Sequence, residues 1–479
     1  MLDRCAVRAE KSRWEMAVDR VDSQRTGMTA SPRKVSAAAL VGTSIEWYDF
    51  MIFGAAAALV FNELFFPDFS PLAGTLAAFA TFWAGFLGRP LGGLLFGHFG
   101  DRVGRKSMLV VTLLLMGLAT FGMGLLPTYE QVGVWAPVLL VLLRVLQGIG
   151  LGGEWGGAAL MTVEHAPPGR RGFYGSWTQT GGSLGQLLAS AALGLVAMLP
   201  EEALMSWGWR VPFLASIVMV VVGMIIRLKI VESPVFLRFK KERTEARMPV
   251  IEVFKTHPMN VLRAAGAACA NNTLIYVVTV FTLSFGASEL GLSNGVLLTG
   301  VLIASAIDFC AIPMWGALSD RVGRRPVIIG GSIAMVVFAF PYFWLLETGS
   351  TVLVWVAFII AIAGIRAVLY APQPAYFSEL FDTGVRYSGA SLGTNLATVL
   401  LGGTAPFIAA ALSGAAGGAS WPVALFLIAV ALLTLVVVYF SAETVQTSIA
   451  AERDDVTETT TAEPVAEPVT APSRPTPAG

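Results

Sequence analysis

Glu46 and Asp49 stand three residues apart in an otherwise apolar run, and that placement poses the chemical question. In a helix starting near Ser36 and rising about 1.5 Å per residue, Glu46 lies roughly 15 Å in, near the middle of a ~30 Å hydrocarbon layer. The spacing puts both acids on one face. An ionised carboxylate at that depth is costly, so it should face a cavity, pair with a base or hold a proton. A proton carrier and an ion pair inside the amino-terminal half are both open to Glu46 and Asp49. Basic and polar residues recur at similar depth: Arg144 with Gln147, Asn272 with Tyr276, and Arg366 with Tyr370 and Gln373, each group on one helix face. A buried guanidinium among amides and phenols suits a small polar solute, a carboxylate above all, because its planar fork binds one bidentately. Asp308 is a further carboxylate at mid-span, able to pair with Arg366 or to titrate. Arg89 lies closer to a helix end, where it can meet a solute, form a gate or join a structural pair.

Such residues need long apolar helices to carry them. Of 479 residues, 55% are hydrophobic and 13% charged, a balance that fits lipid better than water as the main solvent. A bilayer-crossing helix takes about 20 apolar residues. The sequence predicts spans at 36–61, 73–97, 107–126, 134–162, 173–199, 209–230, 258–286, 293–317, 327–346, 352–379, 387–413 and 421–440. Lysine and arginine set their direction, since cytoplasmic loops retain positive charge. Eight occur up to Lys34 and nine from Arg227 to Arg263. The remaining loop clusters, Arg102 to Lys106, Arg170 with Arg171, and Arg321 to Arg325, share the same parity. Arg210 is the exception on the opposite side. Both termini are therefore expected in the cytoplasm, and the first 30 residues, charged and without an apolar core, do not read as a signal peptide.

Other classes find little support. Net charge is zero, which offers nothing to nucleic acid. Cys5, Cys269 and Cys310 are too scattered for a disulfide framework or metal site, and His98, His165 and His257 read as surface residues near helix ends. No glycine-rich phosphate loop ending in Lys and Ser or Thr is present.

The chain repeats itself. Asp101, Arg102, Val103, Gly104, Arg105 recurs as Asp320, Arg321, Val322, Gly323, Arg324, an offset of 219. Glu164 with Arg171 is matched by Glu379 with Arg386 at an offset of 215. Two six-helix repeats joined by a basic linker suit a carrier whose halves rock about a central site. The expected division is 1–35 as a cytoplasmic segment, 36–230 and 258–441 as bundles, 231–257 as linker, and 442–479 as a Thr-, Glu-, Ala- and Pro-rich disordered tail.

Several runs together carry a resemblance: Glu46 to Phe50, Gly88 to Gly93, Gly100 to Lys106, Arg144 with Gln147 and Gly148, Gly152 to Glu154, Glu232 to Pro234, and Arg386 to Ser391. Over roughly residues 35 to 441 the chain resembles the metabolite and proton symporters of the major facilitator superfamily, which include shikimate, proline/betaine, citrate and 2-oxoglutarate carriers. The resemblance implies an all-α membrane fold of twelve helices in two halves. It also implies a monomer in the plasma membrane that moves a small polar metabolite with protons by alternating access. A proton gradient rather than a cofactor would drive it, and no enzymatic activity is expected. In that fold the first, fourth, seventh and tenth helices surround a central cavity. That makes Arg144, Gln147, Asn272, Tyr276, Arg366, Tyr370 and Gln373 candidate cargo ligands. Arg89 of the second span resembles an arginine the family carries and joins them. Asp49 and Glu46 are candidate proton carriers, with Asp308, which the family pattern does not place, as the next. An organic acid is the leading cargo. A zwitterion such as a betaine is the alternative, ahead of a transporter-like sensor or a membrane enzyme. Pro372 and Pro374 should bend the tenth helix and free carbonyls toward the cavity.

The repeated loops suggest a latch. Asp101 and Asp320 close a helix at the cytoplasm, where a carboxylate can accept from the N-terminus of a neighbouring helix and pair with an arginine. Arg102, Arg105, Arg321 and Arg324 would join it, with Glu164, Arg171, Glu379 and Arg386 in the same network. The bland reading is that the loop arginines only retain the loop in the cytoplasm.

Overall fold

In the computed structural model, residues 32–103, 105–152, 155–229, 253, 256–381 and 386–445 are described. The expected helices are there: α1 Pro32–Leu59, α2 Pro71–Val103, α3 Arg105–Gly124, α4 Trp135–Leu151 with Trp155–Glu164, α5 Arg171–Val196 and α6 Arg210–Lys229. The second six are α7 Pro258–Ser288, α8 Asn294–Val322, α9 Arg324–Glu347 and α10 Thr351–Glu379, α11 386–415 and α12 Trp421–Tyr439. The chain is a twelve-helix membrane protein. Apolar side chains such as Leu118, Val218, Met314, Val337 and Val352 point outward, as lipid requires.

Among the described residues eight helices are long and apolar enough to cross a bilayer on their own, nine with the bent pair before and within α6. The exceptions are α1, α3 and α5: the apolar part of α3, Val110–Gly124, is short, and α1 and α5 have a different physical reason. α5 packs along both α1 and α8, so its Thr178, Gln179, Thr180, Ser183 and Gln186 are buried in protein rather than lipid. Helices at the centre need not be apolar all round.

Close approach depends on glycine. A side chain at Gly148 of α4 would sit 1.7 Å from the Gly85 carbonyl of α2, and one at Gly172 of α5 would sit 2.5 Å from the Gly316 carbonyl of α8. The first contact joins two helices of the first six. The second joins the two sets.

α7, α10 and α11 each contain a π-helical turn, at Val277–Phe281, Ile360–Arg366 and Thr398–Gly402. Such turns break the side-chain register and recur at functional sites. α10 is further interrupted before Gln373. Pro374 has no N–H for the Tyr370 carbonyl, and that carbonyl accepts from Gln179 Nε2 of α5 at 3.4 Å. The freed group thus serves a contact between the two sets of helices.

The expected boundary at 441 falls short. Residues up to Val445 belong to the same compact unit as the helices, because Glu443 and Thr444 bond to α9 and α10.

Candidate functional site

Six of the expected residues, Glu46, Arg89, Asn272, Tyr276, Tyr370 and Gln373, line one cavity between α1, α2, α7 and α10. With its mouth it encloses about 690 Å³ of non-atom space, open solvent included. Trp47 and Phe50 give it an aromatic side, and Ser391, Thr394, Asn395 and Thr398 of α11 a polar one. Those α11 residues were missed in the sequence. Their signal was there, for they fall at the i, i+3, i+4, i+7 spacing of one helix face. Arg89 is the guanidinium of the cavity; it stands over Phe50 and Phe86 with its Cζ 4.9 and 4.7 Å from the ring centroids, within reach of Glu46 and the Tyr276 hydroxyl.

Arg144 and Gln147 are not on the cavity wall. Both are fully buried, and the Arg144 guanidinium lies 3.9 Å from the centroid of Phe50, 4.2 Å from Phe53 and 5.0 Å from Phe82. Its Nη1 donates to Gln147 Oε1, while Nε and Nη2 have no hydrogen-bond partner in the described structure. Rings satisfy a guanidinium by cation–π attraction without neutralising it. Gln147 in turn donates to the Asp49 carbonyl at 3.1 Å and the Thr120 hydroxyl at 2.7 Å. Phe50 therefore partitions the cavity from Arg144.

Asp49 lies on the same hidden side. It is fully buried and neither carboxylate oxygen has a hydrogen-bond partner among the described residues, Thr120 standing beside it. Glu46 and Asp49, three residues apart, thus end in different surroundings. Asp308 and Arg366 instead meet each other, also away from the cavity wall. Arg366 Nη1 bonds Asp308 Oδ2, which also accepts from Ser183 of α5, and the Arg366 Cζ stands 4.4 Å from the Tyr370 ring centroid. This ion pair joins α8 and α10 and is tied by Ser183 to the first six helices.

The second copy of the repeated loop joins a cluster of ion pairs and hydrogen bonds at one end of the helices. Asp320, at the end of α8, accepts from the Gly172 and Phe173 backbone N–H groups at 2.7 and 2.9 Å, which are free donors at the start of α5. Arg324 reaches Asp320 at 2.8 Å and Glu379 at 3.3 Å. Glu379 lies 4.0 Å from Arg171, and Arg386 3.8 Å from Glu164, so these two pairs cross between the repeats. Arg321 is exposed. The side chains of Asp101, Arg102 and Arg105, and residues Glu154 and Glu232, lie outside the described residues. Glu443, expected in the tail, joins the same cluster. Gly323 precedes α9 at φ 103° with no side chain to cap it, and Glu443 accepts from the Arg324 and Arg325 N–H groups at 2.9 and 3.1 Å. Thr444 donates to Glu379 at 2.7 Å.

A profile of the Major Facilitator Superfamily matches residues 39–402 and again 309–475. The shikimate transporter of Escherichia coli is 43% identical over 407 residues, covering 84% of this chain and 92% of that protein. The proline/betaine transporter of the same organism is 33% identical over 417 residues, covering 84% and 82%. A partially occluded, inward-open xylose transporter of E. coli superposes with a TM-score of 0.68 at 18% identity, covering 87% of this chain and 99% of that one.

Proposed function

The chain belongs to the major facilitator superfamily, as a multi-pass membrane transporter and not an enzyme, and from that premise we propose that it carries a small organic acid together with a proton. The observation behind this reading is Asp49, a fully buried carboxylate whose two oxygens find no partner among the described residues. Charge is expensive there, and a bound proton removes it.

Arg89 in the cavity and Arg144 behind Phe50 supply the attraction for an acid. A carboxylate drawn toward Arg144 has to displace the Phe50 ring, and that movement opens Asp49 to the cavity as well. Cargo and proton then reach the cavity through one movement, so both load from one side and leave together on the other. Alternating access follows from rocking the halves 36–230 and 258–441, with the Asp320 and Glu379 latch closing one end. The protein works as a monomer in the inner membrane with both termini cytoplasmic, driven by the proton gradient without a cofactor. The 43% identity to a shikimate transporter makes a cyclic acid such as shikimate the leading cargo, ahead of di- and tricarboxylates.

A zwitterion of the betaine or proline type is the second reading. It is favoured by relatives such as the proline/betaine transporter and by the Trp47, Phe50, Tyr276 and Tyr370 rings of the cavity, which suit a quaternary ammonium. The test is uptake of labelled shikimate, citrate, 2-oxoglutarate and betaine into vesicles holding the purified protein, with and without an inward proton gradient. Accumulation of an acid only with the gradient is expected. Betaine uptake in place of acid uptake, or acid uptake indifferent to the gradient, would overturn the proposal.

A further inference from the structure

The polar wall of the cavity is composed differently from a carboxylate-binding wall. Thr394 and Thr398 spend their hydroxyl protons on the Ala390 and Thr394 carbonyls, which leaves oxygens that accept. Thr398 already accepts from Asn272 Nδ2 at 2.9 Å. The side chains of Ser391 and Asn395 make no hydrogen bond among the described residues and offer both donors and acceptors. Across from them Gln373 is 1% exposed, lines the cavity and has an Nε2 without a partner. An unpaired buried amide is costly in a resting site, and a ligand group is what would complete it.

Donors mixed with acceptors suit hydroxyl groups, which both give and take a hydrogen bond. They suit a second carboxylate badly, because an ionised carboxylate only accepts and its lone pairs would face those of Thr394 and of the Asn395 carbonyl. The charge balance agrees. Arg89 and Glu46 offset each other on the cavity wall, so Arg144 behind Phe50 is the further positive group, enough for one anionic group rather than three. The rings of Trp47 and Tyr276 supply a flat apolar side for the rest of the molecule.

We propose that Gln373 together with the Ser391–Asn395 face of α11 determines specificity by reading hydroxyls on a ring-shaped monocarboxylate. This rests on the organic-acid reading and narrows it, away from di- and tricarboxylates. One hydrogen bond to a hydroxyl contributes about 0.5–1.5 kcal/mol, up to roughly tenfold in affinity, so a polyhydroxylated ring should be separated clearly from its bare counterpart.

The experiment is equilibrium binding to the purified full-length protein in lipid nanodiscs, comparing a trihydroxycyclohexenecarboxylate, unsubstituted cyclohexenecarboxylate and citrate. The expected order places the trihydroxy acid at least tenfold ahead of both others. Asn395→Leu, and independently Ser391→Ala should the first variant fail to fold, should cut binding of the trihydroxy acid about three- to tenfold and leave the bare acid unchanged. Equal binding of the two ring acids, preferred binding of citrate, or equal loss for both ring acids in the variants would overturn the hydroxyl reader while leaving the organic-acid reading standing. Binding of none of the three acids by the wild type would overturn both.

Discussion

The two halves of the molecule each bury a carboxylate at mid-span, and they treat it in opposite ways. In the second half Asp308 is held by Arg366 and Ser183. In the first, Asp49 has no such partner although Arg144 lies on the same side of Phe50, because that guanidinium is turned into a cage of phenylalanines and given to Gln147. One acid has a fixed charge with a fixed counter-charge, which suits a structural joint. The other is left in a setting where only a proton relieves it. Depth alone therefore does not distinguish the two acids; their partners do.

The largest effect expected from this contrast is on coupling. Asp49→Asn should abolish accumulation driven by a pH gradient, bringing the internal to external cargo ratio to about one, while exchange of labelled for unlabelled cargo continues, since exchange need not release the proton. Thermal stability should hold, because the amide replaces a protonated, uncharged carboxyl of the same size and no buried ion pair is broken. Asp308→Asn should fail differently. Removing one member of a buried ion pair costs about 3–5 kcal/mol, to be seen as a fall in melting temperature of the purified protein and in yield. Were both variants to lose coupling with stability intact, the contrast would collapse and Asp308 would share the proton role.

The sequence disclosed one side of this contrast and hid the other. Glu46, Asp49, Asp308 and Arg366 stand out as ionisable residues inside apolar runs, and periodicity was enough to place each at depth. Their partners were not legible: Arg366 is 58 residues from Asp308 and 183 from Ser183, and nothing local in α10 chooses between a cargo and an ion pair. Arg144 and Gln147 were read correctly as neighbours one turn apart, yet their seclusion behind Phe50 depends on how α1 and α2 pack. Glu46 and Asp49 shared a face by spacing, but they straddle the edge of the cavity. The α11 face shows in the sequence as a polar stripe, but serine and threonine are common inside membrane helices, so the stripe by itself does not mark a cavity wall. Helices were the easiest part, since a span of about 20 apolar residues has few other uses.

The repeated loops offer a second, smaller test of how the halves are joined. Asp320 accepts from two N–H groups at the start of α5, a bond between halves that must break when that end opens. Asp320→Asn keeps the size but loses the charge that the helix N-terminus and Arg324 favour, an effect of about 1–2 kcal/mol, or roughly five- to thirtyfold in a two-state equilibrium. Transport should slow with expression intact, and a cysteine placed at Ser391 should react faster with a polar thiol reagent applied from the side of the Asp320 loop. Unchanged rates and labelling would reduce the loop to a retention signal. Reporter fusions after Lys241 and Asp320 should both read cytoplasm, and a periplasmic signal at either would reverse the assignment of that end.

The smallest effect belongs to Glu443. It caps α9 from a distance of 119 residues, a position held by Gly323, whose φ of 103° admits few other residues and which brings no capping side chain. A side chain at Gly323 would also come within 2.6 Å of the Glu443 carboxylate, so the turn and the distant cap depend on each other. Losing a cap costs about 1 kcal/mol. Glu443→Ala should therefore loosen the second half at the latch alone, faster amide exchange at Arg324 and Arg325 being the readout, with the first half unaffected. Glu443→Gln keeps an acceptor and should recover most of the protection. If both variants exchange as the wild type does, the residues after α12 only rest on the latch, and the contrast between the halves narrows to Asp49 and Asp308.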